Sequence, residues 1–395
     1  MFPGSPLYAV PLSCLHKMLR LDLPFIAKAR QDMQQVAEET EMNIFQKYLA
    51  EEFAEDYTEG RLSRREALKL IASVTGSLIA ANSILAGCAP PPEATETSVL
   101  SPTGSATAQP PASPDASQTV ESGATEASSP SAYGTVMPDD PAVIASEVQI
   151  PAADTNILGY LARPSSEGIS PVILVCHENR GLTPHIQDVT RRFAKAGYVG
   201  LAVDLLSRQG GSAAVGQENV PGTLGNIPPD QFVEDFKSGW RYLQGQSFAD
   251  AARVGMTGFC FGGGVTWRVA TQMPELLAAV PFYGPAPDLE DVPNIRAAVL
   301  AIYGELDSRI NGGIPAIEQA MLENNKIYEK MIYAGADHAF HNDTGSRYNP
   351  EAARDAWART LAWFDQYMSE MHNAFLRRFG NPCVDTIENT KRLEN

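Results

Sequence analysis

The chain has 395 residues, 44% of them apolar, and a formal net charge of −17. An acidic excess of that size argues against a nucleic-acid partner, because tracking phosphates needs clustered Lys and Arg. Five cysteines, Cys14, Cys88, Cys176, Cys260 and Cys383, share no paired spacing, so neither a disulfide framework nor a cysteine zinc site is expected.

Length alone suggests two or three domains, but the chain order points to one folded domain behind a long approach. Residues 1–60 read as a leader of unclear role, with Met33 and Met42 as alternative starts. Within it NIFQKYLAEEFAEDYTEG has the pattern of an acidic amphipathic helix. Ser63-Arg64-Arg65-Glu66-Ala67-Leu68-Lys69 resembles a twin-arginine export motif. The run Leu70–Gly87 is short and dotted with Ser, Thr and Asn, which suits a signal-peptide core better than a membrane span. Leu85-Ala86-Gly87-Cys88 resembles a bacterial lipobox, whose cysteine carries the lipid. Taken in order, these make residues 61–88 an export signal. They place the protein on the outer face of the cell membrane, held by a lipid at Cys88. Each motif also has a plainer reading, as an amphipathic helix or a buried cysteine. Residues 89–141 are rich in Pro, Ser, Thr, Ala and Gly and bury too little to fold, so they read as a flexible tether.

From residue 142 short apolar runs alternate with helical spacing. EVQIPA and ILGYLARP open the pattern as strands. PVILVCH, YVGLAVDL, RVGMTGF, LAAVPFYG and AAVLAIYGELD read as buried parallel strands. KIYEKMIYAG reads as a strand with partial alternation. RRFAKAG, PDQFVEDFKSGWRYLQGQ, GGVTWRVATQ and PEAARDAWARTLAWFDQYM read as helices between and after them. The alternation predicts an α/β domain over 142–368, a mostly parallel sheet with helices on both faces. Its ligands are expected beyond the carboxyl ends of the strands. Residues 369–395 read as a tail.

GFCFGGG, Gly258–Gly264, falls between a buried strand and a helix. Gly258-x-Cys260-x-Gly262 has the spacing of a nucleophile elbow with cysteine in the serine position. The bend is so tight that the residues two away must lack a Cβ. A sulfur there sits at a helix N-terminus, with the backbone N–H of Phe261 aimed where an oxyanion would form. The plainer reading is a small buried cysteine beside a glycine turn. An elbow nucleophile is followed along the chain by an acid and then a histidine, each at a strand end. Asp307 follows one buried strand and His338 the next, in the order of the α/β-hydrolases. His338 would take the thiol proton, and Asp307 would fix its tautomer. Asp337, Glu305 and His341 are weaker alternatives. His338 and His341 lack a third ligand for a metal.

GFCFGGG, the GELD loop, GADHAF and the HENRG loop, His177–Gly181, together resemble the dienelactone hydrolase family over about Val143–Tyr367. The resemblance implies that Glu178 contacts the thiol and helps deprotonate it, and that the backbone N–H of Asn179 is a second oxyanion donor. It implies ester or lactone hydrolysis through an acyl-thioester, with no cofactor and no metal, on a small-molecule substrate; the oligomeric state stays open, with a monomer expected. One position departs. Where the family places a substrate-binding arginine, four residues past the histidine, this chain has Asn342, which lacks a charged bidentate fork. Arg180, Arg208 and Arg309 lie in edge loops that could compensate. An ester or lactone other than dienelactone is therefore expected. A ligand-binding protein on the same fold, or a redox pair of Cys260 with Cys176, are the alternatives.

Overall fold

The computed structural model describes residues 42–87 and 134–369. Three helices come first: α1 (Ile44–Thr58), α2 (Arg64–Thr75) and α3 (Leu78–Ala86). Then follow β1 (Val143–Pro151), β2 (Asn156–Pro164), β3 (Ser170–Cys176), α4 (Pro184–Lys195), β4 (Val199–Val203), the short α5 (Val220–Gly225) and α6 (Pro229–Gln244). The chain continues through β5 (Ala249–Phe259), α7 (Phe261–Gln272), β6 (Ala278–Phe282), β7 (Ala298–Gly304), α8 (Ile314–Glu323), β8 (Tyr328–Tyr333) and α9 (Pro350–Met368). Helix α4 starts seven residues before the expected RRFAKAG, at Pro184, since proline is preorganised for the first helical position. Helix α8, built on IPAIEQAMLE, was not anticipated.

The strands form one eight-stranded sheet in the order β1-β2-β4-β3-β5-β6-β7-β8. Strand β2 pairs antiparallel with both β1 and β4, and every pair from β4 through β8 is parallel. This is the α/β architecture that the alternation predicts. The central strands β4, β6 and β7 are buried along their whole length, as parallel strands covered on both faces must be. Their carboxyl ends form one edge, and Cys260, Asp307 and His338 all lie just beyond it.

The expected division of the first ninety residues differs from what folds. Ile44 onward belongs to the same compact unit as the sheet. Helix α1 buries one broad face, with Phe45, Tyr48, Leu49, Phe53 and Tyr57 in the continuous core. The Arg pair of the export motif opens α2. Ser63 caps that helix, its hydroxyl accepting from the Glu66 N–H while the Glu66 carboxylate accepts from the Ser63 N–H. Ala67, Ile71 and Val74 then bury one face of α2. A Cβ on Gly222 of α5 would fall 2.6 Å from the Ser73 hydroxyl, so the glycine is what lets α2 approach that close. Among the described residues no helix is long and apolar enough to cross a membrane. Most of the expected tether, with Cys88, lies outside the described residues, as does the tail beyond 369. The last residues of the tether do dock: the Val136 N–H donates to Asp188 at 2.7 Å, and the Val136 carbonyl accepts from Arg191 at 2.6 Å.

Candidate active site

Strand β5 ends at Phe259, and Cys260 takes the strained pair φ 59°, ψ −121° before α7 begins at Phe261. Two glycines permit the bend. A Cβ on Gly258 would lie 2.2 Å from the Gly262 carbonyl oxygen, and one on Gly262 would lie 2.5 Å from that of His177. Cys260 therefore keeps its backbone only because both flanking positions are bare. As the first residue of α7, Phe261 carries one of the N–H groups that the helix itself leaves unpaired.

Asp307 caps a short helical turn after β7. One of its oxygens accepts from the Ile310 N–H at 3.2 Å and the other faces His338 Nδ1 at 2.6 Å. Both residues are buried, at 2% exposure each. Burial alone would depress the imidazole, but the Asp307 carboxylate more than reverses this and holds the His338 pKa well above the usual value. Burial raises the Asp307 carboxyl, and the imidazolium beside it outweighs that, so its net shift is downward. The Nδ1–H thus points at Asp307, leaving Nε2 for the centre of the site.

The loop after β3 is fixed by His177. Its Nδ1–H donates to the Glu178 carbonyl at 2.7 Å, and its Nε2 accepts from the Leu205 N–H at 3.2 Å. Glu178, 7% exposed, accepts from the Asn342 amide at 2.7 Å. Burial raises its pKa, and His185 and Asn342 oppose that. Asn342 thus holds a carboxylate rather than standing free for substrate.

Two residues that the sequence reading did not single out complete the centre, and both come from α1. The Tyr48 hydroxyl lies 3.2 Å from Cys260 Sγ and 3.4 Å from His338 Nε2. The Glu52 carboxylate, 4% exposed, places its oxygens 3.7 and 3.8 Å from Sγ, where the thiol donates to them. It also accepts from the Asn179 side-chain amide at 3.2 Å. Burial raises the Cys260 pKa, the Glu52 charge raises it further, and His338 pulls it down. Sγ, Nε2 and a Glu52 oxygen lie within 4.8 Å of one another, close enough for a metal to bridge. The Tyr48 hydroxyl already bonds two of the three, and the thiol and carboxylate share a hydrogen bond. We therefore read the group as a proton-sharing cluster.

The remaining expected residues divide. Arg180 lines the same small cleft as Cys260, about 180 Å³ in volume, together with Arg347, which the sequence did not bring forward. Arg208 does not reach it: both faces of its guanidinium are taken, by Asp154 at 2.8 Å and Asp235 at 2.9 Å. Arg309 is held by Glu55 at 2.9 Å, and its guanidinium stacks over the Tyr48 ring at 4.7 Å. His341 is fully buried against Phe259, with ring centroids 5.1 Å apart, and burial drives its pKa well down. Glu305 accepts from the Gly335 N–H, and Asp337 accepts from the His338 backbone N–H. Cys176 is a buried free thiol at the end of β3, paired in register with Gly258.

A mostly parallel sheet with helices on both faces, and a cysteine on a strained strand-to-helix bend at its carboxyl edge, define an α/β-hydrolase. Residues 157–368 match the model of the dienelactone hydrolase family, and the chain belongs to that family. It is by that membership a carboxylic ester hydrolase. A Methylorubrum extorquens protein named "Putative carboxymethylenebutenolidase" is 36% identical over 60% of this chain and 86% of its own. An Escherichia coli K12 protein of the same name is 34% identical over 63% of this chain and 97% of its own. Among solved structures, a "Putative Dienelactone Hydrolase" from Klebsiella pneumoniae superposes with a TM-score of 0.54 at 34% identity, over 57% of this chain and 100% of that one.

Proposed function

We propose that the protein hydrolyses small carboxylic esters or lactones through an acyl-thioester on Cys260. The carrying observation is the Asp307–His338 pair, 2.6 Å apart and buried, converging on a cysteine held in elbow geometry. The sulfur attacks the substrate carbonyl. The oxyanion is met by the backbone N–H of Phe261 and of Asn179. Collapse expels the alcohol and leaves the acyl group on sulfur, and water activated by His338 releases it. A cleft of about 180 Å³ is below the usual range for drug-sized ligands and favours a compact acyl group. Asn342, engaged with Glu178, offers no charged fork at that position, which supports an ester or lactone other than dienelactone itself.

Cys260→Ala in the full chain should lower kcat/KM for nitrophenyl acetate by at least about 1,000-fold with an unchanged melting curve. Turnover within threefold of the parent would reject Cys260 as the nucleophile, whereas a parent protein that turns over no activated ester would favour a silent ligand-binding fold.

Export and lipid anchoring stand as a separate proposal, supported by the order of the Arg64-Arg65 pair, the apolar run and Leu85-Ala86-Gly87-Cys88. A chain cut before Cys88 would lack α1, and with it Tyr48 and Glu52, so that cut and a working part for α1 exclude each other in one molecule, and the mass of the protein isolated from cells reads which of them holds.

A further inference from the structure

We propose that Glu52, on the helix preceding the hydrolase domain, is the proton acceptor for the Cys260 thiol, and that Tyr48 on the same helix positions the sulfur. The assignment rests on Cys260 being the nucleophile. It moves the thiol's proton from the residue that sequence reasoning favoured to one more than two hundred residues away in the chain.

The geometry carries it. Both Glu52 oxygens face Sγ, at 3.7 and 3.8 Å, as acceptors of the thiol hydrogen. Glu178, the carboxylate that the family pattern suggests, has one oxygen held by Asn342 at 2.7 Å and is not seen accepting from Sγ. His338 is occupied as well. Its Nδ1–H is committed to Asp307, and its Nε2 shares the Tyr48 hydroxyl with the sulfur, at 3.4 and 3.2 Å. The Asp307 carboxylate and Cys260 both hold the His338 pKa up, which suits its Nε2 to protonate the departing alkoxide. Six ionisable groups act on the thiol or close around it: Tyr48 and Glu52 from α1, Cys176 beneath it on β3, Glu178, His338 and Arg347. Of these, Glu52 is the one shown accepting from Sγ that is an anion when free.

The helix is built in rather than resting on the surface. Phe45 is 1% exposed and packs its ring 4.8 Å from Phe261, the residue beside the nucleophile. A Cβ on Gly264 of α7 would come within 3.2 Å of the same ring. The Asn179 amide holds the Glu52 carboxylate from the other side.

The steps balance. The thiol proton passes to the Glu52 carboxylate, and the thiolate bonds to the carbonyl carbon. The tetrahedral intermediate breaks its carbon–oxygen bond, and imidazolium His338 gives its Nε2 proton to the departing alkoxide. Neutral His338 then takes a proton from water, the hydroxide adds to the thioester, and the carbon–sulfur bond breaks. The departing thiolate recovers its proton from Glu52, and His338 is left as imidazolium.

Glu52→Gln in the full chain tests this with two readouts: alkylation of Cys260 by iodoacetamide against pH, followed by peptide mass, and kcat/KM for nitrophenyl acetate. Losing the carboxylate removes the group that takes the thiol proton, so alkylation near pH 7 should fall about tenfold. Losing the acceptor should lower kcat/KM about 100-fold or more. Glu52→Asp should restore part of the turnover, and Glu178→Gln should cost less than Glu52→Gln. Alkylation and turnover rising together would mean that α1 only obstructs the site and would overturn the assignment, as would Glu178→Gln costing more. Alkylation does not require turnover, so this failure is distinct from that of Cys260 as nucleophile, which Cys260→Ala reports.

Discussion

The elbow and helix α1 meet at one sulfur but hold their groups by different means. Cys260 is fixed by the backbone: a left-handed φ, two glycines that admit no Cβ, and a helix beginning at the next residue. Glu52 and Tyr48 are fixed by packing alone, on an unstrained helix whose aromatic residues are sunk into the core. The first arrangement is covalent and local, and survives almost any loss of stability short of unfolding. The second depends on side-chain burial, so a cavity beneath α1 should move the reactive carboxylate without touching the nucleophile.

That contrast can be broken from either side. On the sheet-edge side, Asp307→Asn should lower kcat/KM by about 100- to 10,000-fold, since the imidazole loses both its orientation and the charge that supports its protonation. The same change alters stability against pH. The raised His338 contributes stability fully present below its unfolded pKa, about 6.5, and lost as pH rises through the higher folded value. The lowered Asp307 contributes stability present above the carboxylate range and lost as pH falls through its folded value. Asp307→Asn should remove both, flattening the melting temperature against pH in calorimetric scans.

On the other side, Phe45→Ala should cost about 3–5 kcal/mol, because the ring is buried between Phe232 and Phe261 at centroid distances of 5.4 and 4.8 Å. Its kcat/KM should fall too, by less than in Asp307→Asn, because Cys260 and His338 keep their frames. Denaturant titration and initial rates on one preparation check both parts. A normal rate at reduced stability would show that Glu52 needs no packing from Phe45.

The difference also explains what could be read from the chain. The sheet, the elbow, Asp307 and His338 were legible because each is local: a buried strand, then the chemistry at its end. Gly258 and Gly262 advertise a steric demand within five residues. The Glu52–Cys260 contact spans 208 positions, and no local pattern encodes it. A partial signal existed. Phe45, Tyr48, Leu49, Phe53 and Tyr57 form a helical apolar stripe, and such a stripe has to be covered by something. The export motif drew attention elsewhere, though Ser63 to Glu66 also spells a helix cap. Arg208 was misplaced for a related reason. A loop arginine looks free in sequence, and its partners Asp154 and Asp235 are visible only once the chain has folded.

The most direct test is rapid quenching of the full chain during nitrophenyl acetate turnover, followed by mass analysis of the peptide that carries Cys260. The account predicts one acetyl group on that cysteine, formed and discharged at rates that match steady-state turnover. Full turnover with Cys260 unmodified at every time point, or with the acetyl group on another residue, would contradict it.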